Sequence, residues 1–180
     1  MAEHSYRVIV VGAGFGGIGM AAALKRAGIE DFLVVDRADD LGGTWRDNTY
    51  PGLACDVPSN LYSFSSRPSR WSRRFPPREE ILGYLRAMAD DRGLGPHIRF
   101  GAGVAAAEFD ERRAVWNLVL ADGRTLQANA VVSAVGQLNR PRLPDIAGRD
   151  DFVVWCGGTP AGLCCGGAAC RGGGTGAGFL

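Results

Sequence analysis

The chain has 180 residues, enough for one domain of ordinary size, and 46% of them are hydrophobic, which supports a packed core. Twenty basic residues against 19 acidic leave a formal net charge of +1, so charge gives no general pull toward nucleic acid or a membrane surface. No apolar run approaches the ~20 residues that cross a bilayer, and MAEHSYR lacks the basic-then-apolar pattern of a secretory leader, so the expected compartment is the cytoplasm.

The first element is a strand beginning by about Arg7. Residues Val8 to Gly17, VIVVGAGFGG, run apolar and then break into a glycine-rich turn, followed by a helix over roughly Gly16 to Ala27. A second apolar run, Phe32 to Val35, ends on Asp36, 19 residues past Gly17. Strand, G-x-G-x-x-G turn (Gly12, Gly14, Gly17), helix, strand and acidic residue make the layout of a dinucleotide-binding βαβ unit. Gly12 permits the tight turn, Gly14 lets a pyrophosphate approach the backbone, and Gly17 lets the helix close on the strand. The helix aims its first amides at the phosphates, and Asp36 accepts from a ribose. The bland alternative is a glycine-rich strand-to-helix turn that binds nothing.

From Ala38 to Pro77 the chain is irregular and rich in Gly, Pro, Ser and Asn. Stretches of that length are usually functional or disordered. Its aromatics (Trp45, Tyr50, Tyr62, Phe64, Trp71, Phe75) argue for order. PPREEILGYLRAMADDRGL then predicts a helix, with Glu79 and Glu80 in its first turn, an apolar stripe of Ile81, Leu82, Leu85 and Met88, and a stop at Gly93. Four short strands are expected next: Ile98–Phe100, Val104–Phe109, Ala114–Leu120 and Thr125–Ala128, read together as a β-meander. A separate apolar run, Ala130 to Val135, suits a strand buried on both faces.

GGTW (Gly42 to Trp45) and YPGLACD (Tyr50 to Asp56) add to these elements. With them the chain resembles the FAD-dependent, NADPH-using monooxygenases, particularly the Baeyer–Villiger group. The likeness runs from about Tyr6 to Phe152, through GAGFGG, Asp36, GGTW, YPGxxCD with Tyr62 six residues on, FPPREEILGYL and VVSAVG. It implies a Rossmann-like α/β FAD-binding domain over residues 1–152, with a parallel sheet and an inserted meander. It also implies that Gly12, Gly14, Phe15 and Gly17 hold the FAD pyrophosphate, and that Asp36 and Arg37 meet the adenosine half, with Val104 at the adenine. Gly43, Thr44, Trp45 and Arg46 would line the flavin. Asp56, the one candidate catalytic residue, and Tyr62 would lie where flavin and nicotinamide meet. The implied reaction is oxygen insertion into a ketone or aldehyde. Nitrogen- or sulfur-oxygenating flavin monooxygenases share GGTW and are the competing enzyme class, against which YPGxxCD tilts. Cys55 reads as a small buried hydrophobe, and the arginines between Arg67 and Arg78 as a solvated loop.

The resemblance stops near Phe152. Baeyer–Villiger relatives carry a Phe-x-Gly-x-x-x-His fingerprint ending in Trp or Pro, and Val154, Gly158 and Gly162 stand at its next positions. Residues 153–180 hold ten glycines, four cysteines (Cys156, Cys164, Cys165, Cys170) and one charge, Arg171. They read as an unstructured tail of out-of-frame translation; a glycine linker is the alternative, and no C-x-x-C spacing supports a metal. The implied family arginine and NADPH domain fall outside the matched part, so the expectation is a fragment that holds FAD weakly or is inactive alone.

Overall fold

The computed structural model describes residues 5–137 and 145–147. Phe152 and the expected tail, residues 153–180, lie outside the described residues, as does the far end of the expected 1–152 domain. One six-stranded sheet organises the rest. Its strands are β1 (Ser5–Val11), β2 (Phe32–Val35), β3 (Ile98–Arg99), β4 (Val104–Asp110), β5 (Val115–Leu120) and β6 (Thr125–Ser133), in spatial order β3-β2-β1-β6-β5-β4. β1 pairs in parallel with β2 (Ile9 opposite Leu33) and with β6 (Ile9 opposite Val131), and β2 with β3. β4, β5 and the first half of β6 run antiparallel.

Among the described residues three α-helices accompany the sheet: α1 (Phe15–Arg26), the short α2 (Thr44–Asp47) and α3 (Arg78–Asp91). α1 buries Ile18, Ala21, Ala22 and Leu24, spaced to fall on one side, and ends before Gly28. α3 buries Ile81, Leu82, Tyr84, Leu85, Met88 and Ala89, and carries Glu79 and Glu80 at the positive end of its dipole. These stripes pack on the β1–β2 face that presents Val8, Val10, Phe32 and Val34. Because strand side chains alternate, Ile9, Leu33 and Val35 point to the opposite face. There the meander folds over them with Leu118, Leu120, Leu126 and Ala128. One sheet therefore separates two cores.

The structure corrects three expectations. Thr125–Ala128 and Ala130–Val135 are not two strands but one, β6, because pairing with β1 from Gln127 to Ser133 keeps the backbone extended through Asn129. Residues 125–128 pair with β5 of the meander and residues 127–133 with β1 of the parallel sheet, the two ladders overlapping at Gln127 and Ala128. Residues 130–135 are not buried on both faces: Ala130 is exposed, Val131 and Val132 are half-buried, and Val135 is 47% exposed. β5 stops pairing at Ala128, so one edge of Asn129–Ser133 has no strand partner among the described residues. Finally, Ile98–Arg99 belongs to the parallel sheet beside β2 rather than to the meander. Among the described residues, no helix is long and apolar enough to cross a membrane.

Candidate functional site

At the C-terminal ends of β1 and β2, the glycine turn, the Asp36 carboxylate and the Gly42–Gly43 turn come together. Gly12 follows β1 at φ +108°, and its amide donates to Val35 O at 2.8 Å, which ties the turn to β2. A Cβ at Gly12 would stand 2.5 Å from Ala134 O, and one at Gly17 would collide with Gly12 O. Both glycines are therefore demanded by the chain's own packing. Gly14 is different. Its φ is −80°, and a Cβ there would meet only Gly43, at an ordinary 3.6 Å.

Among the described residues no close contact requires glycine at position 14. Gly14 is the N-cap of α1 and supplies no side chain, and the first turn of α1 holds no acidic residue. The first amides of a helix have no intrahelical partner, so these are left for an external acceptor, which suits a phosphate. The cradle fits a dinucleotide.

Asp36 is 9% exposed at the end of β2. Its Oδ2 accepts from the Ala13 amide at 2.6 Å and its Oδ1 from the Ala38 amide at 2.9 Å. Arg46 Nη1 lies 3.8 Å from Oδ1. An ionised carboxylate offers about four lone-pair sites, so two amide bonds leave capacity for a ribose hydroxyl. The segment leading to Val104 closes over the same strand end: Ala102 N donates to Asp36 O at 2.7 Å, Gly101 N to Ala38 O at 2.8 Å, and Gly103 packs on Arg37. Asp36, Arg37 and Val104 thus share one corner, with Val104 half-buried and Arg37 exposed.

The second turn is fastened to the first. Gly42 N donates to Ala13 O at 2.9 Å, and a Cβ on Gly43 would stand 3.1 Å from Gly14 Cα. Gly42 and Gly43, at φ +122° and +52°, launch α2. Thr44 is exposed there, while Trp45 is 8% exposed and donates its indole N–H to Tyr62 Oη at 3.0 Å. Arg46 turns back to donate to Asp40 O. The Tyr62 ring packs 4.9 Å from Phe15 and edge-on to Trp45 at 5.8 Å. Burial pushes the Tyr62 phenol above its ordinary value; the Trp45 hydrogen bond opposes the rise, and Cys55 and Asp56 add to it. Cys55 is buried, whereas Asp56 is exposed on the turn that follows the YPG segment. No described group of His, Cys, Asp and Glu could hold a metal ion.

The sequence-predicted residues therefore form two adjoining groups. Gly12, Gly14, Phe15, Gly17, Asp36, Arg37 and Val104 surround the β1–β2 strand ends. Gly43, Thr44, Trp45, Arg46 and Tyr62 adjoin them through the Gly14–Gly43 contact, and Asp56 bears on that group only through its charge, which acts on Tyr62. Sequence reading missed Ala134, whose backbone packs against Gly12, and the aromatic wall of Phe64, Trp71 and Tyr84 behind Phe15. The signal available for that wall was helical spacing on α3.

The family described as NAD(P)-binding Rossmann-like domain matches residues 10–75. A Baeyer-Villiger monooxygenase of Streptomyces coelicolor is 51% identical over 158 residues, covering 84% of this chain and 30% of that protein. The closed crystal structure of cyclohexanone monooxygenase superposes with a TM-score of 0.74 at 34% identity, over 84% of this chain and 29% of that one. The structure of OTEMO in complex with FAD and NADP gives a TM-score of 0.73 at 34% identity, over 82% and 29%. The chain spans about three tenths of the length of these relatives.

Proposed function

We infer, for a chain that belongs to the Baeyer–Villiger group of flavin-dependent monooxygenases and matches their N-terminal part, that its two glycine turns form the FAD-holding portion of such an enzyme. The observation that carries this reading is Gly14, a glycine the protein's own packing does not need, facing an uncapped helix start beside a buried carboxylate. Gly12, Gly14, Phe15 and Gly17 take the pyrophosphate on backbone amides. Asp36 accepts from the adenosine ribose with Arg37 and Val104 beside it. Gly43, Thr44, Trp45 and Arg46 line the path to the flavin, where Tyr62 and Asp56 stand.

FAD, when bound, supplies the electron transfer between NADPH and oxygen that side chains cannot. The residues' own work is to bind, orient and exclude water. Trp45 holds the Tyr62 phenol by a donor-only indole N–H, so the phenol oxygen accepts and its proton faces away. The exposed Asp56 carboxylate, whose charge acts on that phenol, is the candidate catalytic residue, suited to ordering a cationic partner by charge-assisted hydrogen bonds. In the whole protein we assign this site to NADPH-dependent oxygen insertion beside the carbonyl of a small ketone or aldehyde.

Titration with FAD, followed by flavin fluorescence, tests the reading. Saturable binding is expected from the 180-residue chain. Absence of uptake by a chain with native circular dichroism would falsify it.

A further inference from the structure

We propose that Tyr84 of α3 is a positioning residue for the cofactor site: its phenol clamps the Phe64–Arg67 turn and thereby sets the aromatic wall behind Phe15 and Tyr62. The proposal rests on the FAD reading of that site.

Residues 64–67 form a tight turn in which Arg67 N donates to Phe64 O at 2.9 Å. The outward-facing groups of the same two residues are Phe64 N–H and Arg67 C=O. Both end on one atom. Tyr84 Oη accepts from Phe64 N at 2.8 Å and donates to Arg67 O at 2.8 Å. A hydroxyl is one of the few side-chain groups that can accept and donate at once, and here it fills the place a neighbouring strand would take. The side chain is 5% exposed, so water cannot readily replace it.

Other residues of α3 close the same grip. Arg92, just past the helix end, donates to Ser66 O at 3.2 Å, and Asp91 pairs with Arg67 at 2.8 Å while the Arg67 guanidinium lies 5.2 Å over the Tyr84 ring. Tyr84, Asp91 and Arg92 are seven and eight residues apart, which places them on one side of the helix.

The held turn carries Phe64 to the cofactor site. Its ring packs 4.4 Å from Phe15, the residue after Gly14, and 2.6 Å from where a Cβ on Gly19 would stand. Phe15 in turn packs on Tyr62, which Trp45 holds. Tyr84 thus reaches the site through the turn that carries Phe64 and through its own ring, which stacks on Phe15 at 6.3 Å; Phe keeps that ring contact, so Y84F tests the clamp alone. Replacing Tyr84 by Phe keeps the ring and leaves a half-buried N–H and C=O without their partner, and the turn gains by moving out toward water.

The test compares Y84F, G19A and L118A in the full chain. G19A pushes the same Phe64 ring from the α1 side. L118A opens the core on the opposite face of the sheet and serves as the control for lost stability alone. Y84F and G19A are each expected to weaken FAD binding by about tenfold, equivalent to about 1.4 kcal/mol. They are also expected to alter the visible spectrum of bound flavin and the near-ultraviolet circular dichroism of the ligand-free chain. L118A is expected to keep both spectra and to bind FAD within about twofold, as distant sites do. If the unsubstituted chain takes up no FAD, the cofactor reading fails. If Y84F retains the near-ultraviolet spectrum and affinity of the parent, or changes them no more than L118A, the clamp is wrong.

Discussion

Gly12, Gly14 and Gly17 occupy one turn for different reasons, and substitution separates them. Gly14→Ala meets only an ordinary contact with Gly43, so it is expected to leave the melting temperature unchanged while weakening FAD binding at least tenfold, about 1.4 kcal/mol or more. Gly17→Ala collides with Gly12 O and is expected to destabilise the fold itself. A Gly14→Ala protein that melts early but binds normally would reverse the assignment. Asp36→Ala removes a charge-assisted ribose contact worth roughly 1.5–3 kcal/mol, so isothermal titration should read a tenfold or greater loss of FAD affinity; unchanged affinity would mean that the ribose lies elsewhere. The tyrosines add a pH effect. Burial raises the Tyr62 and Tyr84 phenols above their ordinary value. Their folded pKa values exceed the unfolded ones, so their contribution is complete below about pH 10 and is lost as pH rises through the raised values. Melting temperature is expected to fall above pH 10, with a shallower slope in Y84F. An identical slope in that variant would exclude Tyr84 as a source.

At the scale of elements, the legible parts are those whose signals are local. α1, β2 with Asp36, and α3 announce themselves through a glycine turn, an apolar run of strand length and a 3.6-residue stripe. The junction within β6 was not legible. Two apolar stretches around Asn129 look like two strands, and only pairing with β1, more than a hundred residues earlier, makes them one. The grip of α3 on residues 64–67 escaped for the same reason, since its partners lie 17 to 26 residues apart. The motif residues meet at the strand ends as their spacing suggested, whereas their packing partners were not legible, because motifs fix local spacing and packing partners carry no motif. The meander's part in the second core gives a further expectation. Leu118→Ala should cost about 2–4 kcal/mol by chemical denaturation, and a loss under 1 kcal/mol would mean that the meander lies loosely on Ile9, Leu33 and Val35.

For the whole molecule, binding and turnover are separable. A ligand that binds the native state alone stabilises it by RT ln(1 + [L]/Kd), about 2.7 kcal/mol at a hundredfold excess over Kd, so FAD should raise the melting temperature in a concentration-dependent way. Turnover needs more. Rate enhancement depends on holding hydride donor and flavin in register, and the 180 residues span about three tenths of the relatives' length. We expect the chain with FAD to oxidise NADPH no faster than free flavin does. Ketone-dependent NADPH consumption above that background would overturn this expectation.

The parallel pairing of β6 with β1 also sets a clock. Ala134 N donates to Val11 O at 2.8 Å, and Ala134 O lies against Gly12. The glycine turn is therefore incomplete until residue 134 has been synthesised, although its glycines and Asp36 emerge near the start of translation. At about 5–20 residues per second, the ribosome needs roughly 5–20 s to travel from Asp36 to Ala134. During that interval β1 and β2, apolar on both faces, wait without the strand that completes them, and the turn proposed to hold FAD is finished only after the meander has been made.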